Sequence, residues 1–158
     1  MNSFVAKKIG EVCAFANVAN ETITRAESAL REVYGESFEE TRDTFRDVHD
    51  ELIALSEREG LKDAVSDKCS KTSDKLRQMR ETYLTSEEDW QDPVEVLEWS
   101  SFFYGAGYAH SELVQGASEE LEIESLSELA EGSSKLHHDL LHHAVDYLRD
   151  DGKKRAQE

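Results

Sequence analysis

The sequence predicts an all-α protein, a four- or five-helix up-and-down antiparallel bundle. Three observations predict it. The 158 residues include one proline and eight glycines, with abundant Glu, Ala, Leu and Ser, a composition of helices joined by short turns. Apolar residues recur at alternating steps of three and four along most of the chain, the period of a helix that buries one face. Between these runs lie helix start and stop signals. The length suits one domain, expected over residues 1–150, with a frayed tail at 151–158.

From about Ser3 to Tyr34, Val5, Ile9, Val12, Ala16, Ala19, Ile23, Ala26, Leu30 and Val33 keep the three-four spacing without interruption, and Gly35 follows as a stop. The spacing predicts one helix of roughly 30 residues, about 45 Å long. Ser37 with Glu40 reads as a capping box for a second helix that buries Phe38, Phe45, Val48, Leu52 and Leu55 and ends at Gly60. Its surroundings are acidic, with nine carboxylates against three arginines over residues 36–60. A third helix, Leu61 to Leu84, carries Val65, Cys69, Thr72, Leu76, Met79 and Tyr83 at the same spacing. It is net positive, and its Lys68, Lys71, Lys75, Arg77 and Arg80 are expected to face the acidic second helix. Thr85 to Asp92 is polar and acidic and reads as the longest, most mobile loop, with Trp90 pinning it to the core.

Asp92 to Gly116, DPVEVLEWSSFFYGAGYAHSELVQG, reads as the organising helix. Asp92 is an N-cap, Pro93 takes the first helical position, Glu95 completes a capping box and Gly116 stops the helix. Val96, Trp99, Phe103, Ala106, His110, Leu113 and Ala117 form its expected stripe. Gly105, Ala106, Gly107 and Ala109 form a low-volume patch where another helix, or the same helix of a second subunit, approaches closely. A last helix, capped by Ser125 with Glu128, is expected to bury Leu126, Leu129, Leu136, Leu140, Ala144 and Tyr147 and to end near Asp150 to Gly152.

A net charge of -17 opposes direct binding to nucleic-acid phosphates and to anionic membranes. It suits a basic protein partner, or adaptation to a salt-rich, halophilic cytoplasm. No apolar run approaches the roughly 20 residues of a membrane span, and the N-terminus lacks the pattern of a signal peptide. A cytoplasmic protein is expected. Cys13 and Cys69, isolated on apolar stripes without a C-x-x-C, read as reduced core residues rather than a disulfide or a metal pair.

Four of the six histidines fall in LHHDLLHHA, residues 136–144. His137 and His143 flank the leucine stripe, while His138 and His142 face outward beside Asp139 and Asp146. Histidines one turn apart, and the Asp139–His142 pair, have spacings that grip metals in helical bundles. His110 and His49 can join from across the core, with Glu98, Glu112 or Asp139 as carboxylate ligands. That set suits iron or zinc. Helix count and length are similar to those of ferritin-like and hemerythrin-like bundles, but the Glu-x-x-His motif of the di-iron members is absent.

The leading functional expectation is a non-enzymatic acidic protein acting by interaction or assembly. The long alanine-rich first helix and the Gly105–Ala109 patch point to a homo-oligomer, a dimer. The alternative is a metal-binding bundle built on the histidine cluster. A remote third is a small helical ribonuclease, since Arg42 followed by His49 resembles the Arg-then-His pattern of the HEPN group, although an acidic helix repels RNA.

Overall fold

In the computed structural model, which describes residues 1–157, seven α-helices follow one another with no strand between them. They are α1 (Ser3–Arg25), α2 (Glu27–Tyr34), α3 (Phe38–Arg58), α4 (Lys62–Tyr83), α5 (Glu87–Gln91), α6 (Pro93–Glu120) and α7 (Glu124–Arg155), with a 3-10 turn at Gly35–Ser37. The expected all-α bundle is therefore the fold. Two helices organise it: α6, which contains the Asp92–Gly116 stretch and packs on α1, α2, α4, α5 and α7, and α1. Every residue from Ile9 to Ala16 is buried, because α3, α4 and α6 surround this segment.

Side-chain pairs give the helix directions. Ser111 meets Ser133 and Tyr108 meets His138, so α6 and α7 run antiparallel. Tyr83 packs on Trp99 and Phe102, which sets the end of α4 against the first turns of α6. Between α1 and α4 the order is different. Asn17 bonds Ser73 and Glu21 bonds Arg77, each pair 56 residues apart, so these two helices lie side by side in parallel. Gly10 makes that approach possible: a β-carbon there would stand 2.7 Å from Val65 O and from Lys68 Cβ.

Several expected boundaries move. The first helix is not continuous; it bends at Ala26, where φ is -87° and ψ is 25°. Just before the bend, the Thr22 and Thr24 hydroxyls donate to the carbonyls of Val18 and Asn20, a back-bonding that commonly bends helices. Ser37 makes no capping bond and donates instead to Tyr34 O. The segment expected to be a mobile loop holds α5, whose Ser86 and Asp89 form a complete capping box. Trp90 is buried there, as expected. Asp92 accepts from the Val94 amide as foreseen, but α6 continues through Gly116 to Glu120. Ile123 rather than Ser125 caps α7, which passes Gly152 and continues to Arg155. Glu158 lies outside the described residues.

Of the cations expected to face α3, Lys68, Arg77 and Arg80 instead pair with α1, and it is Lys62 that reaches Glu57 of α3. Arg77 donates twice to Glu21 and Lys68 pairs with Glu11, both on α1. The buried face of α6 also turns along its length. It begins at Val96, Trp99 and Phe103 as predicted, then moves to Gly107, Ser111, Val114 and Ser118, leaving Ala106 and Leu113 exposed. A straight helix turns once per 3.6 residues, so a stripe stepped at 3.5 drifts off the core face over three or four turns. No helix among the described residues is long and apolar enough to cross a membrane.

Candidate functional site

The six histidines are dispersed. His49 sits on α3, with Nδ1 3.0 Å from Asp50 Oδ1. His110 on α6 stacks on Phe15, and its Nδ1 lies 3.0 Å from Glu11 Oε2, at ion-pair distance but without hydrogen-bond alignment. Burial pushes the Glu11 carboxyl up, yet Lys8 and Lys68 outweigh it and hold the group below its ordinary value. His143 donates from Nε2 to Val33 O at 3.0 Å, satisfying a carbonyl in the last turn of α2. His138 and His142 lie 4.4 Å apart, their rings tilted by 51°, on the outer face of α7, with Asp139 shared between His138 and Lys135. Glu112 accepts from Ser134 instead of facing a histidine. Among the described residues, no group of three or more His, Cys, Asp or Glu side chains is arranged to hold a metal ion.

His137 is the one histidine in the core, with no exposed surface. Phe15, Phe45, Phe103 and Tyr104 surround its ring. Nδ1 donates to Ser133 O at 2.8 Å, and Nε2 has no partner. Burial, against the pull of that carbonyl, brings its pKa down to about 4, so the ring is neutral at pH 7.

Chemistry gathers elsewhere, at the α1–α4 seam. Parallel pairing puts Cys13 one turn beyond Gly10 and opposite Cys69, and both thiols are free. His49 of α3 reaches Cys69 from the other side, and the Ser73 hydroxyl reaches it from the next turn of α4. Cys69 thus has Cys13, His49 and Ser73 in interaction range. It lines a solvent-open cavity of about 370 Å³ with Asn17, His49, Ser73 and Arg77. Asn17 donates to Ser73 Oγ at 3.3 Å, and Arg77 is held by two bonds to Glu21.

The electrostatics separate the two sulfurs. Interaction with the Cys13 thiol, followed by that with His49, outweighs burial and brings Cys69 down to about 5. Cys13 moves the opposite way, pushed up by its neighbour Cys69 and by burial. His49 is raised, first by Cys69 and then by Asp50. These shifts favour the thiolate at Cys69 and the charged form of His49 while keeping Cys13 protonated. Arg42, the other half of the Arg–His pattern, lies away from this cavity, bonded to Asp43 and over the Phe38 ring.

Both cysteines are reduced core residues as expected, but their proximity across two helices was not foreseen. The available signal was a repeat of polar residues every fourth position in two separate helices, Cys13, Asn17, Glu21 and Cys69, Ser73, Arg77. No protein-family model, curated protein or solved structure matches the chain.

Proposed function

We propose that the protein is a thiol-based redox protein, with Cys69 as the nucleophilic sulfur and Cys13 as the thiol that closes a disulfide with it. One observation carries this reading: Cys69 neighbours both Cys13 and His49 at the wall of an open cavity. The thiolate is the reactive form of cysteine, and a neighbouring histidine favours it. The parallel helices held together at Gly10 bring the two cysteines side by side, which a disulfide requires. In the cycle an oxidant accepts two electrons and the two thiol protons are released. A dithiol reductant then returns the pair to its reduced form.

The test is intact-mass and free-thiol measurement of the folded protein before and after mild oxidation and dithiol reduction. The expected result is loss of both thiols with two hydrogens of mass in the monomer, fully reversed by reductant and absent in Cys69→Ala. Two thiols that stay free and unmodified throughout would end the proposal.

Assembly is a second reading, favoured by the outer face of α6. Phe102, Ala106, Ala109 and Leu113 are all exposed and recur at steps of four, three and four, with Phe102 64% and Leu113 41% exposed. The series is self-complementary. An antiparallel second copy sets Phe102 against Leu113 and Ala106 against Ala109. Copies of net charge -17 repel one another, and salt weakens that repulsion. Light scattering should show a dimer that strengthens with ionic strength and dissociates in Phe102→Glu; a monomer at every salt concentration removes this reading.

A further inference from the structure

We propose that the oxidant taken by Cys69 is a small hydroperoxide, reduced in the cavity beside His49 and Arg77. This deepens the thiol reading and rests on it. The cavity is small and its polar lining is rich in donors. His49, the Ser73 hydroxyl, the Asn17 amide and the Arg77 guanidinium all border the space into which the sulfur opens. Three of these are fixed by neighbours. Asp50 holds His49, Glu21 holds Arg77 with both carboxylate oxygens, and Ser73 holds Asn17. Donors placed where negative charge develops stabilise a departing oxyanion, which is what cleavage of an O–O bond demands.

Access argues for the same substrate class. Cys69 is only 6% exposed and lies below the rim formed by α1, α3 and α4. Thiol–disulfide exchange with an outside disulfide must bring a bulky sulfur chain onto the attacking thiolate, so it depends strongly on access. A hydroperoxide needs room for two oxygen atoms and a small substituent.

The chemistry balances. The Cys69 thiolate attacks the terminal oxygen of R–O–O–H, the S–O bond forms and the O–O bond breaks. The departing alkoxide, or hydroxide from hydrogen peroxide, takes the proton of the His49 imidazolium and leaves as alcohol or water. Cys69 is now a sulfenic acid. The Cys13 sulfur attacks it, the disulfide forms, and the sulfenic hydroxyl leaves as water with the Cys13 proton. A dithiol reductant supplies the two electrons that restore both thiols.

The experiment uses the full chain carrying Cys13→Ala, with Cys13→Ser as a second variant should the first not keep its helical circular dichroism. Reduced protein is treated separately with hydrogen peroxide and with oxidised glutathione between pH 6 and pH 8, and the products are read by intact mass and dimedone trapping. The expected result is a sulfenic acid on Cys69 and little mixed disulfide. A mixed disulfide with glutathione and no sulfenic acid overturns the hydroperoxide proposal while the dithiol reading stands. If neither product forms, both fall.

Discussion

Gly107 of α6 leaves the space that the His137 ring of α7 fills: a β-carbon at position 107 would stand 2.2 Å from both Cδ2 and Nε2 of that ring. No real contact is so short, and the ring cannot swing aside, because four aromatic side chains enclose it. Replacing a mid-helix glycine by alanine ordinarily gains about 1 kcal/mol. Here overpacking costs about 1–3 kcal/mol or more and reverses the sign. Thermal denaturation should show Gly107→Ala less stable than the parent. The double variant Gly107→Ala, His137→Ala should recover part of the loss, since the methyl then enters vacated space. A Gly107→Ala protein as stable as the parent would mean that α6 and α7 are not packed this closely.

His137 also makes stability depend on pH. Burial brings its folded pKa to about 4, below the ordinary 6.5. Between those values the unfolded chain binds the proton and the folded chain does not, so stability falls as pH drops from about 6.5 toward 4. The loss is on the order of 3 kcal/mol across the window. His49 acts in the opposite sense. Its raised pKa contributes stability below the ordinary value that is lost as pH rises through the folded one. The depressed Glu11 and Glu21 carboxyls contribute stability above their ordinary 4.5 that is lost on further acidification, a lower window. Urea denaturation at pH 7 and pH 5 should therefore show a drop in the parent that is much reduced in His137→Asn, whose amide can still donate to Ser133 O. Equal drops in the two proteins would assign the acid sensitivity to other groups.

The fate of His137 shows how far the sequence could be read. Helix existence and direction followed from spacing and caps, and Leu126, Leu140 and Ala144 took their expected buried places. Which residue stands at the centre of the face did not follow. Around His137 a stripe of leucines at 136 and 140 looks equivalent to one rotated by a single position, and only the space left by Gly107 decides between them. Both cysteines are free and buried as expected, but their meeting did not follow from the sequence. Cys13 and Cys69 meet because α1 and α4 run in parallel, a tertiary relationship that no local spacing records. In α5, polarity suggested a loop, yet the Ser86–Asp89 capping box was present in the sequence and was passed over.

Gly10 allows the close approach of α1 to α4 one turn before Cys13. A β-carbon there would meet a backbone oxygen, Val65 O, as well as Lys68 Cβ, and backbone yields little. Gly10→Ala should therefore separate α1 from α4 next to the cysteine pair and lower stability by about 1–3 kcal/mol. Under identical oxidant, the Cys13–Cys69 disulfide should close more slowly, measured as the decay of free thiols in quenched samples. The control is Gly116→Ala, where an added β-carbon meets nothing. Unchanged closure in Gly10→Ala would detach the thiol pair from the helix approach.

Arg25 holds α5 onto the bundle. Its guanidinium lies 3.9 Å from the Trp90 ring centre, and its nitrogens reach Glu81 at 3.6 Å and Glu87 at 3.1 Å. The two ion pairs are exposed and contribute little. The stacked cation is different, because Trp90 is buried and the attraction persists in salt; it contributes about 0.5–2 kcal/mol. Trp90→Ala removes a packed core side chain and should cost about 3–5 kcal/mol globally. Arg25→Gln should act locally instead. The amides of Asp89, Trp90 and Asp92, which close α5 on Ser86 and Glu88, should exchange hydrogen faster than in the parent. Amides in the middle of α1 should keep their protection, since Arg25 is the last residue of that helix. If α5 exchanges at the parent rate in Arg25→Gln, the Trp90 side chain alone holds the segment and the cation above it is incidental.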